Sequence, residues 1–371
     1  MKYRLNIAAC LFALFTLPAN AVEFSLYGDT SIHGGTAPGH NISFSLGHLN
    51  LYTTQDVSEK TRAFTELVFS ATDHGFETEI ERMWIERNLN DQWSFRAGRM
   101  HSPLGFWNFN YHHGVLIQDT VTRPFFLQFE EGHEGLFPTH LIGLMTRGQL
   151  RRGNHAWQLI GAIGNGPSIN SYQSEHGAEL QVNNLKDLNS KKMLIGRVSY
   201  TNVEKRFQLG AFVMKNDIAE SAEFDGINPV PSWLDTGDSL FDQTVSGADF
   251  RWSQSKFYLM GELFYIRSVD KIANPVIAPV IGAHNSYTAY LQAGLRVVDK
   301  FTPVIRIEGS EIHADDSYYA LRDIQQEQRH ILGFRYELDD SSALRFEINH
   351  VVPKAGAPHS TFTLQWFYVL F

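Results

Sequence analysis

The chain has 371 residues, of which 31 are basic and 40 acidic, giving a formal net charge of −9, and 13% are aromatic. Such an acidic balance excludes nucleic acid as a partner. Mean hydropathy is negative, and no run after residue 21 approaches about 18 apolar residues, which excludes a helical membrane protein.

Residues 1–21 read as a removable export signal peptide. Lys2 and Arg4 supply a positive start, Ile7–Leu17 an apolar core too short to span a bilayer, and Ala19-Asn20-Ala21 a small-x-small cleavage site. Cys10, the single cysteine, lies at the start of that apolar run, where it suits a signal core better than a lipoprotein box. Cleavage leaves residues 22–371, with 29 basic and 40 acidic residues, a net charge near −11 and no thiol.

Period-two alternation recurs from end to end, while helical periodicity is weak. Val22, Phe24, Leu26 and Ile32 share one face, against Glu23, Ser25, Tyr27 and Asp29. Leu344, Phe346 and Ile348 oppose Arg345, Glu347 and Asn349 in the same way, and Ile305 and Ile307 oppose Arg306 and Glu308. The pattern predicts strands over 22–33, 42–53, 61–73, 76–89, 93–106, 140–151, 155–165 and 192–202. It continues over 205–217, 241–252, 256–269, 285–298, 301–313, 328–338, 343–352 and 359–371, sixteen in all, with 14 or 18 as alternatives. Alternation alone suits either a sandwich or a membrane wall. The connections favour the wall: tight turns such as Asn90-Asp91-Gln92 and Arg152-Gly153-Asn154 alternate with long links over 107–139, 166–191, 218–240, 270–284 and 314–327. The expected fold class is therefore all-β, a transmembrane antiparallel barrel with short periplasmic turns and long extracellular loops.

Aromatic residues mark the same architecture. Trp93, Trp157, Tyr200, Phe207, Trp252, Phe257, Phe301, Phe346 and Phe371 sit beside the tight turns or at the end of the chain. On an outward face they form a belt at headgroup level. The run His359–Phe371 ends on a bare aromatic and resembles the terminal strand of bacterial outer-membrane barrels, in which the final Phe is read by the barrel-assembly machinery. That resemblance makes Phe371 the expected assembly signal.

The inward face is expected to carry Glu66, Arg96, Arg147, Arg197, Asp249, Arg251, Glu262 and Arg296, and three Arg-x-Glu units: Arg306/Glu308, Arg335/Glu337 and Arg345/Glu347. A spacing of two keeps each unit on one face, and adjacent strands can set Arg opposite Glu. Such units either brace a wet wall or order permeating solutes by charge.

The third outer loop, Trp107–Thr139, is too apolar for a freely solvated loop, carrying Trp107, Phe109, Phe125, Phe126, Phe129, Leu136 and Phe137. It also holds Asp119, Glu130, Glu131 and Glu134. With these features the chain from residue 22 onward resembles trimeric bacterial porins of the sixteen-strand type. The resemblance implies a homotrimer in outer-membrane lipid and lipopolysaccharide, needing no cofactor and giving passive entry to small hydrophilic solutes. It also implies a third loop folded into the lumen, its acids facing some of Arg96, Arg306, Arg335 and Arg345. The stretch Arg96–Gly105 is similar to the Gly-x-x-x-x-Pro-x-Gly segment of phosphate-selective porins. The lysine ladder of those proteins is missing, as is the Pro-Glu-Phe-Gly-Gly stretch of general porins.

Two other chemistries stay open at this level. His101, His112, His113, His133 and His140 lie in or beside the third loop, and imidazoles with carboxylates could hold a metal ion and mark a ligand-specific importer. His112, His113 and His133 are the weak candidates, since no His-x₃-His spacing occurs. Acids from Asp217 to Asp249 could bridge Ca²⁺ or Mg²⁺ to lipopolysaccharide. A barrel enzyme is the third class, but no Gly-x-Ser-x-Gly is present.

Overall fold

The computed structural model describes residues 22–37, 40–72, 75–111, 117–129, 135–171, 178–182, 186–222, 235–272 and 281–370. The expected signal peptide, Phe371, and the third-loop residues His112, His113, Glu130, Glu131, His133 and Glu134 lie outside them.

Sixteen long strands form one wall. The first seven are β1 (Glu23–Gly35), β2 (Ser43–Ser58), β3 (Thr61–Thr72), β4 (Gly75–Asn88), β5 (Trp93–His101), β6 (His140–Arg152) and β7 (His155–Asn165). The link after β7 holds two three-residue strands, β8 (Pro167–Ile169) and β9 (Leu180–Val182). The wall resumes with β10 (Lys192–Asn202), β11 (Phe207–Glu220), β12 (Ser239–Ser253), β13 (Phe257–Asp270) and β14 (Ala283–Leu295). It ends with β15 (Phe301–Glu311), β16 (Glu327–Asp339), β17 (Ser342–Pro353) and β18 (His359–Val369). Each wall strand pairs antiparallel with its neighbours, β7 joining β10 directly. The closing pair is β1 with β18, running from Tyr27 opposite Val369 to Gly35 opposite Thr361. Among the described residues, closure leaves the wall of long strands without an open edge, the condition for a β-wall to exist in hydrocarbon.

The pleat sorts the side chains. On β15, Ile305 and Ile307 are exposed while Val304, Arg306 and Glu308 are buried. On β17, Ile348 is exposed while Ala343, Arg345, Glu347 and Asn349 are buried. Because a barrel's outer face meets lipid, the exposed apolar row is the membrane face and the buried polar row the lumen. Beside the turns, Trp93, Trp157, Trp252 and Phe257 are exposed, as an interfacial belt requires.

Three expectations change. The fifth strand stops at His101 instead of running to 106, because Gly105 turns the chain at φ +70° into a short helix, α1 (Gly105–Tyr111). On β18 the odd-numbered residues do not face lipid: Phe367 is buried, while Trp366 and Leu370 are exposed, so the membrane face is the even row. The links over 166–191 and 314–327 are not plain surface loops. Ile169 and Leu180 are fully buried, and the second of these links forms a helical turn, α2 (Ser317–Leu321), with Tyr318 and Tyr319 buried.

These inturned segments join one apolar cluster with Met100, Trp107, Phe126, Phe137, Leu141, Phe212 and Phe264. It lies on the inner side of β5 to β14. The opposite inner wall carries a row of rings across β1 to β4, Tyr27, Tyr52, Phe64 and Trp84, with centroids 5.3, 5.7 and 5.0 Å apart.

Leu332 lies on the exposed row of β16. Leu332→Arg should cost about 2–4 kcal/mol in lipid vesicles, because a cation would enter hydrocarbon, whereas Leu332→Phe should be close to neutral. Denaturant unfolding in vesicles measures both.

Candidate functional site

The third outer loop returns into the barrel, and its described part is attached in two ways. The first is apolar. Phe126 meets Phe264 with ring centroids 5.2 Å apart, Phe137 stacks on Phe264 at 5.0 Å, and Trp107 stands edge-on to Tyr290 at 5.8 Å. Trp107, Phe126 and Phe137 are almost fully buried, each contributing roughly 1.5–3 kcal/mol relative to an exposed position.

The second attachment is polar and starts at Gly105. A Cβ there would lie 1.9 Å from Glu262 Oε2, so only glycine fits, in addition to the left-handed φ. Glu262 Oε1 accepts hydrogen bonds from Trp107 N at 2.6 Å and from the Tyr290 hydroxyl at 2.8 Å. Gly98 is constrained as well: its φ is +133°, and a Cβ would lie 2.1 Å from Met83 O. Gly98, Pro103 and Gly105 thus shape the descent into the loop, which gives the Gly-x-x-x-x-Pro-x-Gly spacing a structural basis in this chain.

Farther along, residues 118–125 lie against β15, β16 and β17. Arg306 donates to Thr120 Oγ1 at 2.9 Å, Thr122 O at 3.0 Å and Arg123 O at 3.1 Å. Arg335 donates to Gln118 O at 3.0 Å and Arg345 to Thr120 O at 2.6 Å. The carboxylates take the amides: Glu347 accepts from Val121 N at 2.8 Å and Thr122 N at 3.1 Å, and Glu308 from Phe125 N at 2.6 Å. Wall arginines therefore satisfy loop carbonyls, and wall glutamates satisfy loop N–H groups.

This arrangement corrects the cross-strand ladder. Arg306 pairs with Glu308 at 2.5 Å and Arg335 with Glu337 at 2.6 Å, both within one strand. The register sets Arg335 opposite Arg345, and Glu347 opposite Gly333 and Thr363. The two facing guanidiniums are compensated from elsewhere. Arg335 holds Glu337, while Arg345 donates to Gln365, which donates in turn to Asp29 at 2.7 Å. Both cations also lie against the Phe367 ring, 4.7 and 5.7 Å from its centroid.

Exposure divides the expected site residues. Arg306, Glu308, Arg345 and Glu347 are buried under the loop. Arg335 and Glu337 remain partly exposed, the Glu337 side chain at 38%. Asp119, on the loop, lines an open cavity of about 260 Å³ with Arg251, Tyr258, Arg296 and Glu337. Burial pushes the Asp119 carboxyl upward, partly offset by a hydrogen bond from Tyr258 and by the charges of Arg335 and Arg345. Arg96 belongs to a different part of the wall: it pairs with Glu86 at 2.9 Å and lies 3.8 Å over the Trp84 ring, beside Arg147. Arg197 and Asp249 form a buried bidentate pair with contacts of 2.6 and 2.9 Å.

Sequence reasoning missed Tyr258, Gln118 and Thr122, which complete this region. It also missed Tyr318, whose hydroxyl donates to Leu136 O at 2.7 Å and ties α2 to the third loop. Asp217, one of the acids considered for Ca²⁺ or Mg²⁺, is held by Lys191 at 2.7 Å.

Arg306→Met should cost about 3–5 kcal/mol, because it leaves Glu308 buried as an uncompensated charge together with loop carbonyls that have lost their donor. Unfolding in detergent checks this, and a cost below about 1 kcal/mol would show that the contacts carry no stability.

No protein-family model matches the chain, and no curated protein matches it by sequence. Solved structures do match. The outer membrane channel DcaP of Acinetobacter baumannii aligns over 94% of this chain and 97% of its own, with a TM-score of 0.61 at 13% identity. Salmonella typhi OmpF, solved with daunomycin, aligns over 94% and 97%, with a TM-score of 0.59 at 8% identity. OmpT of Vibrio cholerae in its trimer form aligns over 94% and 100%, with a TM-score of 0.55 at 8% identity. The chain has the fold of these proteins: a closed sixteen-strand antiparallel barrel of the porin type.

Proposed function

We propose that the protein is an outer-membrane porin through which small hydrophilic solutes or ions diffuse passively past a constriction formed by the third loop and the wall of β15 to β18. The observation that carries this reading is the pinning of residues 118–125 to inward-facing charges while Asp119 and Glu337 line the open cavity beside them and Arg335 stays partly exposed. The solved neighbours include a protein described as a channel and one in a trimer form, which support passage and a homotrimer here. Outer-membrane lipid, lipopolysaccharide and the barrel-assembly machinery are the partners this reading implies, and catalysis has no part in it.

Within the constriction the residues divide by role. Arg306, Glu308, Arg345 and Glu347 hold the loop in place. Asp119, Arg335 and Glu337 act on the permeating solute. Charges acting through water at close range are worth about 1 kcal/mol or less and fade over roughly 8 Å at physiological salt, enough to bias flow severalfold.

Reversal potentials in planar bilayers test this division. Asp119→Asn and Glu337→Gln should each shift selectivity toward anions, and Arg335→Gln toward cations, most strongly at low salt. As pH falls, Asp119 should take up its proton above the ordinary carboxylate range, so wild-type selectivity should shift toward anions there, and Asp119→Asn should lack that step. Folded variants with unchanged selectivity at low salt would overturn the assignment.

A further inference from the structure

A second cluster lies away from the constriction, where β4, β5 and β6 meet near the third loop. His101 ends β5 and His140 opens β6, and the two are direct partners across the strands, so they form the two feet of the third loop. Glu81 comes from β4, at the one position where that strand carries an extra residue against β3: Glu66 pairs with Arg82, and Leu67 with Ile80. A bulge re-aims a side chain, here toward the two imidazoles. His140 Nε2 lies 2.6 Å from Glu81 Oε1, and the rings of His101 and His140 are 5.3 Å apart. One ligand atom from each of the three residues lies within 4.8 Å of the others, and all three residues are buried.

We propose that Glu81, His101 and His140 bind a divalent transition-metal ion of the zinc class, which clamps the feet of the third loop to β4. The donor set is two imidazole nitrogens and one carboxylate oxygen. That composition suits Zn²⁺, Cu²⁺ or Ni²⁺ and not Ca²⁺ or Mg²⁺, which require shells of oxygen. Three protein ligands leave one tetrahedral position for water. Bonds of about 2.0–2.2 Å put tetrahedral donors roughly 3.3–3.5 Å apart, so the 2.6 Å contact opens by less than about 1 Å. Such a shift is within side-chain reach, because the backbone is fixed by the β5–β6 ladder. Arg99, bonded to the same strand, does not oppose the ion with an uncompensated charge. Arg99 is turned to the Glu81 carbonyl at 3.0 Å and to Glu79 at 2.6 Å, which neutralises it.

The test uses the full barrel refolded in detergent without metal, then dialysed against micromolar Zn²⁺ and measured by elemental analysis. Wild type should retain one equivalent per chain. Glu81→Gln and the double variant His101→Asn/His140→Asn should lose it while keeping heat-modifiable gel mobility. Zn²⁺, and not Ca²⁺, should raise the temperature of the heat-modifiable transition in wild type alone. No retained zinc in wild type, or an equal amount in folded double variant, would overturn the site. Should the variants misfold, Cu²⁺ resonance on wild type decides: hyperfine coupling to two imidazole nitrogens supports the site, and an oxygen-only spectrum overturns it.

Discussion

A chain segment that leaves the wall and turns back into a barrel brings its peptide groups with it, and each needs a partner. That requirement organises the interior. Residues 118–125 form no ladder with the wall, so side chains supply what strands would have supplied: guanidiniums for the carbonyls of Gln118, Thr120, Thr122 and Arg123, carboxylates for the amides of Val121, Thr122 and Phe125. Buried charges are tolerable when paired and hydrogen-bonded. At Arg306/Glu308 and Arg335/Glu337 the Arg-x-Glu spacing does both within one strand, because the guanidinium bonds its own glutamate and the loop together.

The aromatic residues of the same loop act on the neighbouring stretch of wall, where Tyr290 is the cross-strand partner of Glu308. Trp107, Phe126 and Phe137 pack against Tyr290 and Phe264, so the loop is held between an apolar cluster and a polar wall. The first attachment contributes affinity without direction, and the second fixes which peptide faces which side chain. Asp119 lies between them, close to Arg335 and Arg345 but still lining the open cavity.

The wall was legible because a membrane barrel imposes a strict period of two on every strand. Most strand limits lie within about three residues of those read from alternation and turn residues. The exceptions have physical causes. β5 ends early at His101, ahead of Pro103, which cannot donate to a ladder, and of the left-handed Gly105. On β18 both faces are apolar, so pattern alone could not tell Phe367 from Trp366. Cross-strand register decided the remainder. Alternation placed Arg335 and Arg345 inward but not opposite one another, since that needs the length of the Asp339–Ser342 turn. The contact between loop and wall joins residues as distant as Val121 and Glu347, 226 positions apart. The His101–His140–Glu81 cluster depends on a bulge, which leaves no repeat in the sequence.

The most direct test places a single thiol at the loop tip. Cys10 is the one natural cysteine and falls in the expected signal peptide, so Asp119→Cys gives a unique reactive site in the refolded chain from residue 22 onward. A bulky, charged thiol reagent added to single channels of that variant should reduce the current in discrete steps, and a reducing agent should restore it when the adduct is a disulfide. Complete labelling, confirmed by mass, with no change in conductance would mean that this loop does not border the path of the solute.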